Sequence, residues 1–165
     1  MPMICPAATP PAYTLEVDLD VTAAGSPPAY AVVATTPGDP VVASHLKNSK
    51  GDVDFSDTAQ PVAVIVHLQD ASGIGLRFDD DPGQPVFSFA KDYGGAKSRI
   101  TRGHYQIRNV VVTGGTTVSL CYRNTQNDDD HPGLRHRRSQ YGVNFLDPRQ
   151  NASAIDPGVG NGANK

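Results

Sequence analysis

The stretch from Asn124 to Arg138 gathers most of the side chains that could do chemistry. Asp128, Asp129, Asp130 and His131 come first; Arg135, His136, Arg137 and Arg138 follow. Guanidinium groups are planar donors that match carboxylates and phosphates. Arg135, Arg137 and Arg138 therefore form a candidate grip for a small anion or a protein ligand. The competing reading is a solvated connection whose opposite charges partly cancel. Two strands can be joined by roughly 2–5 residues, so the length of this connection has no folding requirement behind it.

Asp79-Asp80-Asp81-Pro82-Gly83 is an acidic turn. Hard cations want several oxygens, which makes Asp79 and Asp81, with His131 and His136, candidate ligands for a divalent metal. The turn lacks the spaced ligands and distal Glu of an EF-hand. His131 and His136 do not stand at a diagnostic ligand spacing. A copper site of the cupredoxin kind wants a Met after its Cys and His, and no Met follows Cys121. His67 lies inside a strand-like run and reads as a hydrogen-bonded core or edge histidine. There is no GxSxG, HExxH or Walker loop, and no pair of carboxylates is singled out by context. No catalytic residue and no cofactor is assigned.

Bulk properties narrow the class. The chain has 165 residues and a net charge of -3, which argues against a nucleic-acid partner with its need for a basic face. No apolar run approaches the ~18 residues of a membrane span. The segment before Pro11 has neither a basic start nor a long apolar centre, so a cytoplasmic protein is expected. In that compartment Cys5 and Cys121 are expected as free thiols, Cys121 shielded in the sheet and Cys5 exposed on an arm.

The elements that must position these residues are strands. Tyr13, Leu15, Val17, Leu19 and Val21 alternate with Thr14, Glu16, Asp18 and Asp20. A period of two is that of a half-buried strand. Further strands are expected over 30–34, 62–68, 74–78, 85–89 and 141–145, with a brief pairing at 152–155. Val62 to Leu68 should be central. Val41 to Ser56 is ambiguous, a short strand and a loop. Tyr105 to Asn124 reads as a hairpin turning at Gly114-Gly115, with Ile107 opposite Tyr122 and Val111 opposite Val118. That register sets Asn109 opposite Leu120 on the apolar face, so Asn109 must find a partner or a bulge must shift the pairing. The expected core is Leu15, Val17, Leu19, Val64, Val66, Val111, Val118, Leu120, Val143 and Phe145. Residues 1–11 and 158–165 are expected to be flexible tails.

Short strands with frequent turn signals predict one all-β domain over 1–165, an antiparallel β-sandwich of immunoglobulin-like architecture. Tyr141-Gly142-Val143-Asn144-Phe145, followed by Ile155-Asp156-Pro157-Gly158-Val159-Gly160-Asn161-Gly162, resembles the end of the DP-EP family of uncharacterised bacterial proteins. The resemblance spans 141–162 and implies a sandwich-like fold with no established activity. The functional expectation is a non-catalytic binding or assembly module, with self-association through a sheet edge as one mode. The alternative is a small metal-dependent enzyme using the acidic turn or the His131/His136 loop.

Overall fold

The structure is a computed structural model. It describes residues 4–23, 28–78, 87–90, 107–126, 133, 138–146, 148, 152–155 and 158–160. The alternation near the N-terminus becomes strand β1 (Thr14–Ala23). Leu15, Val17, Leu19 and Val21 are buried, while Glu16, Asp18 and Asp20 between them are half-buried on the opposite face. β2 (Ala29–Ala34) pairs antiparallel with β1 through a bulge at the Val21/Ala23 end.

The ambiguous 41–56 region begins with a helix, α1 (Pro40–His45). Its start is set chemically. The Asp39 carboxylate accepts from the Val41 N–H at 2.8 Å, and Pro40 takes the first position, where a missing N–H costs nothing. Val42 and His45 turn inward. β3 (Val53–Asp54) follows, then β4 (Val62–Asp70). The remaining strands are β5 (Arg77–Phe78), β6 (Phe87–Ala90), β7 (Ile107–Thr113), β8 (Thr117–Tyr122), β9 (Arg138–Leu146), β10 (Ala152–Ile155) and β11 (Gly158–Gly160).

One sheet has five strands in the order β2-β1-β4-β8-β7, with β4 at its centre as expected. It is mixed rather than antiparallel. β1 runs parallel to β4, with Leu15 beside Val64 and Leu19 beside Leu68. A period of two sorts faces but carries no information about strand direction, so the parallel pair was not legible. The second sheet has six strands. β9 pairs antiparallel with β10, β11, β5 and β6, and β11 pairs parallel with β3. Gly158–Gly160, expected within a loose tail, is thus a strand. A single buried cluster draws on both sheets, from Leu15, Leu19, Val66 and Val118 in the first to Val53, Phe78 and Val143 in the second.

The β7–β8 hairpin departs from the expected register at one place. Ile107 does face Tyr122, but Val112, not Val111, faces Val118, and the shift lies between Arg108 and Val111. Asn109 sits there with φ of 55°, a left-handed conformation that Asn tolerates better than most residues. The bulge moves Val111 out of the expected core to the opposite face, where it is 52% exposed. Val64 is only partly buried. Phe145 lies in β9, and its side chain is outside the described residues.

Asp70 closes the turn that leaves β4. One carboxylate oxygen accepts from the Ser72 N–H at 2.9 Å and from the Ser72 hydroxyl; the other accepts from Gly75 and Leu76 N–H at 2.8 and 2.9 Å. Burial alone would raise this carboxyl. The hydrogen bonds outweigh burial and hold it below the usual carboxylate range. A carboxyl depressed in the folded state contributes stability above its unfolded value, ~3.9, and that contribution is lost as pH falls through the lower folded value. Asp70→Asn keeps one acceptor but turns an NH₂ toward N–H groups. We expect a loss of about 1–3 kcal/mol at pH 7 and a flatter acid limb in urea melts between pH 7 and 3. Equal acid sensitivity in both proteins would remove Asp70 from this account.

Candidate functional site

The outer face of the five-stranded sheet carries the side chains that alternate away from the core. Thr14 and Glu16 come from β1, Ala63, Ile65 and His67 from β4, and Thr117, Ser119 and Cys121 from β8. Ladder pairing sets them side by side: Ala63 lies between Thr14 and Cys121, and His67 faces Thr117.

The N-terminal arm lies on this face and is fastened at both ends. At one end Cys5 forms a disulfide with Cys121, 116 residues away. The bridge packs on Ala63 with Ile4 alongside, and both cysteines are buried. The Asn109 side-chain NH₂ donates to the Ile4 carbonyl at 3.0 Å. At the other end the Ala12 N–H donates to the Pro61 carbonyl at 2.8 Å, and the Ala63 N–H to that of Tyr13 at 3.1 Å. The expectation of two free thiols is overturned; of the expected tail over 1–11, the described part, 4–11, carries the bridge and the Ile4 bond. The cause is long-range: the sheet brings Cys121 under the arm, which sequence spacing does not show. A signal was present. Cys121 alternates with Leu120 and Tyr122, so the sequence already sets it on the face away from the core.

Between its anchors the arm and the sheet border an open groove of about 450 Å³. Pro6, Pro10 and Pro11 line it from the arm; Ala63, Ile65 and Glu16 line it from the sheet. Its size falls in the ~300–1,000 Å³ range of small-molecule sites. Glu16 is held from behind. Its Oε2 accepts from His67 Nε2 at 2.6 Å, and His67 Nδ1 lies 3.1 Å from Thr117 Oγ1. A carboxylate oxygen only accepts, so Nε2 donates to Glu16, and the Thr117 hydroxyl partners Nδ1. His67 is the hydrogen-bonded strand histidine the sequence suggested, and its partners orient the acid at the groove.

A second cluster secures the arm's far end. Asp57 accepts from the Tyr13 hydroxyl at 2.9 Å through one oxygen and from His45 Nε2 at 2.8 Å through the other. His45 Nδ1 faces the Val41 carbonyl at 2.6 Å. The ring is thus held at both nitrogens. The Tyr13 and His45 rings stack with centroids 4.1 Å apart. Burial first, then the hydrogen bond to Asp57 and the charges of Asp57 and Asp54, push the Tyr13 hydroxyl far up. Burial would raise the Asp57 carboxyl as well, but the hydrogen bonds from His45 and Tyr13 outweigh it and hold it low. Nearby, the buried Asn124 donates through its NH₂ to the carbonyls of Phe55, Thr58 and Gln60, fixing the loop that carries Asp57. This cluster uses its polar atoms internally and reads as structural.

The metal candidates Asp79, Asp81, His131 and His136 lie outside the described residues, as do Arg135 and Arg137. Arg138, expected in the loop, opens β9 with its Cα opposite Gly160. Among the described residues no group of three His, Cys, Asp or Glu could hold a metal ion. Among them also, no helix is long and apolar enough to cross a membrane. No family model matches the chain, and no curated protein matches it.

If the bridge fastens the arm, removing it should cost stability and free the arm together. Closing a loop of this length is worth about 2–5 kcal/mol. Cys5→Ser is expected to lose an amount in that range and to expose residues 6–11 to proteolysis while the sheet survives. An arm as protease-resistant in Cys5→Ser as in the wild type would mean the Ala12 and Asn109 contacts suffice.

Proposed function

We propose that this chain is a non-catalytic binding module that takes a small, mainly apolar ligand in the groove between its N-terminal arm and the sheet. The groove carries this reading. Aliphatic side chains and proline rings surround it, and one acid is held at its edge by a hydrogen-bonded histidine. The Glu16–His67–Thr117 chain has the order of groups seen in hydrolytic triads. Thr117, however, opens β8 with its Cα paired to His67 on one side and Thr113 on the other, so its hydroxyl stands on a regular ladder at the hairpin end rather than on a strand-to-helix elbow. We read the chain of hydrogen bonds as a device that positions Glu16.

Within the same proposal the two sheets and their shared cluster form a sandwich, immunoglobulin-like in its layering but with a parallel β1/β4 pair. The DP-EP likeness of 141–162 belongs with this reading, because that family is all-β and has no assigned activity. The cytoplasmic location was expected from the N-terminal segment, and the free thiols followed from it. The buried bridge favours an oxidising compartment instead. Self-association through β2 or β7, the edges of the five-stranded sheet among the described residues, remains part of the proposal; Val33 and Val111, exposed large apolar side chains, lie on these strands.

Nile red, a neutral apolar dye, tests the groove. The oxidised wild type is expected to bind one dye with enhanced fluorescence. Ile65→Trp, which fills the groove from its floor, is expected to weaken binding at least tenfold with an unchanged circular dichroism spectrum. Undiminished binding by the variant would place any apolar site elsewhere and defeat the proposal.

A further inference from the structure

We infer that the ligand of the groove is an organic ammonium, an apolar body carrying a primary or secondary amine that seats on Glu16. The inference rests on the groove being a binding site and adds the class of molecule it selects. Proline has no N–H to give, and the side chains of Ile4, Ala63 and Ile65 carry no polar atom. The polar side chains lining the groove are those of Thr14 and Glu16, and Glu16 is the one that ionises. His67 engages one Glu16 oxygen through Nε2 and leaves the carboxylate at the groove. Asp18 and Asp20 continue along the same face of β1. Arg108, on the same face, stands on β7, with β4 and β8 between it and β1. Glu16 is thus the ionisable side chain that the lining offers a ligand. An anion is repelled, and a neutral ligand leaves the carboxylate unanswered.

The geometry also separates two kinds of cation. A guanidinium binds a carboxylate best through two parallel bonds to both oxygens. Here Oε2 is occupied by His67 at 2.6 Å, and among the described residues Oε1 takes no hydrogen bond. One open acceptor suits an ammonium, a point donor, better than a planar fork. The apolar remainder of the ligand would lie against Ile65, Ala63 and the proline rings.

Three isosteric probes decide the matter by calorimetry on the oxidised protein: cyclohexylmethylamine, cyclohexylmethanol and cyclohexanecarboxylate. The amine is expected to bind about tenfold more tightly than the alcohol, the carboxylate not measurably, and added salt should weaken the amine alone. Glu16→Gln keeps an oxygen to accept from His67. It is expected to erase the difference between amine and alcohol. Equal binding of amine and alcohol by the wild type, preference for the carboxylate, or an amine preference that survives in Glu16→Gln would each overturn the inference with the groove still standing. Failure of Nile red to bind the wild type would overturn the groove itself, and the inference with it.

Discussion

The outer face depends on one covalent constraint, the bridge from Cys5 to Cys121. Without it the arm would be held to the sheet by a few backbone contacts near Ala12 and by the Asn109 bond to Ile4. Each such bond is worth only about 0.5–1.5 kcal/mol net, against roughly 1–2 kcal/mol of backbone entropy for every residue ordered. The bridge shifts that balance by restricting the unfolded chain. Ala63 makes the geometry feasible. It sits in the ladder between Thr14 and Cys121, and its small side chain lets the bridge lie directly on the sheet. The groove lies between the sheet and the arm, which is fastened at both ends.

Polar groups divide into two sets with different consequences. Around Tyr13, Asp57, His45 and Asn124, donors and acceptors satisfy one another and join the arm, α1 and the 55–60 loop. Burying such groups costs little only because nearly every one has a partner. Around Glu16 the pairing is one-sided. His67 and Thr117 orient the carboxylate and leave an oxygen directed to a half-exposed face. This asymmetry makes the second set a candidate for recognition and the first a piece of scaffold.

Much of the sheet was legible because side-chain period reports burial. β1, β4 and β8 were read from alternation or apolar runs, and the Ile107–Tyr122 pair from the Gly114-Gly115 turn, whose residues have φ of 63° and 73°. The polar Asn109 correctly signalled trouble in the hairpin, and both remedies occur: a bulge and a bond to a neighbouring segment. The parallel pairing of β1 with β4 was hidden, because direction leaves no trace in alternation. α1 was missed because β-branched Val41 and Val42 read as strand, though Asp39-Pro40 is a helix-start signal. The site was legible only in part. His67 drew notice as a histidine in a strand, but Glu16 was one acid among several on β1, and its role comes from a diagonal contact across two strands. Cys5 and Cys121 lie too far apart in sequence for spacing to connect them.

The bridge is also the most direct point of attack. Intact protein, denatured without reductant and treated with a maleimide, should weigh two hydrogens less than the reduced sequence mass and carry no adduct; after reduction it should carry two. A native protein that takes up two maleimides in denaturant before any reductant is added would show free thiols. The fastened arm, and with it the groove described above, would then have no covalent basis.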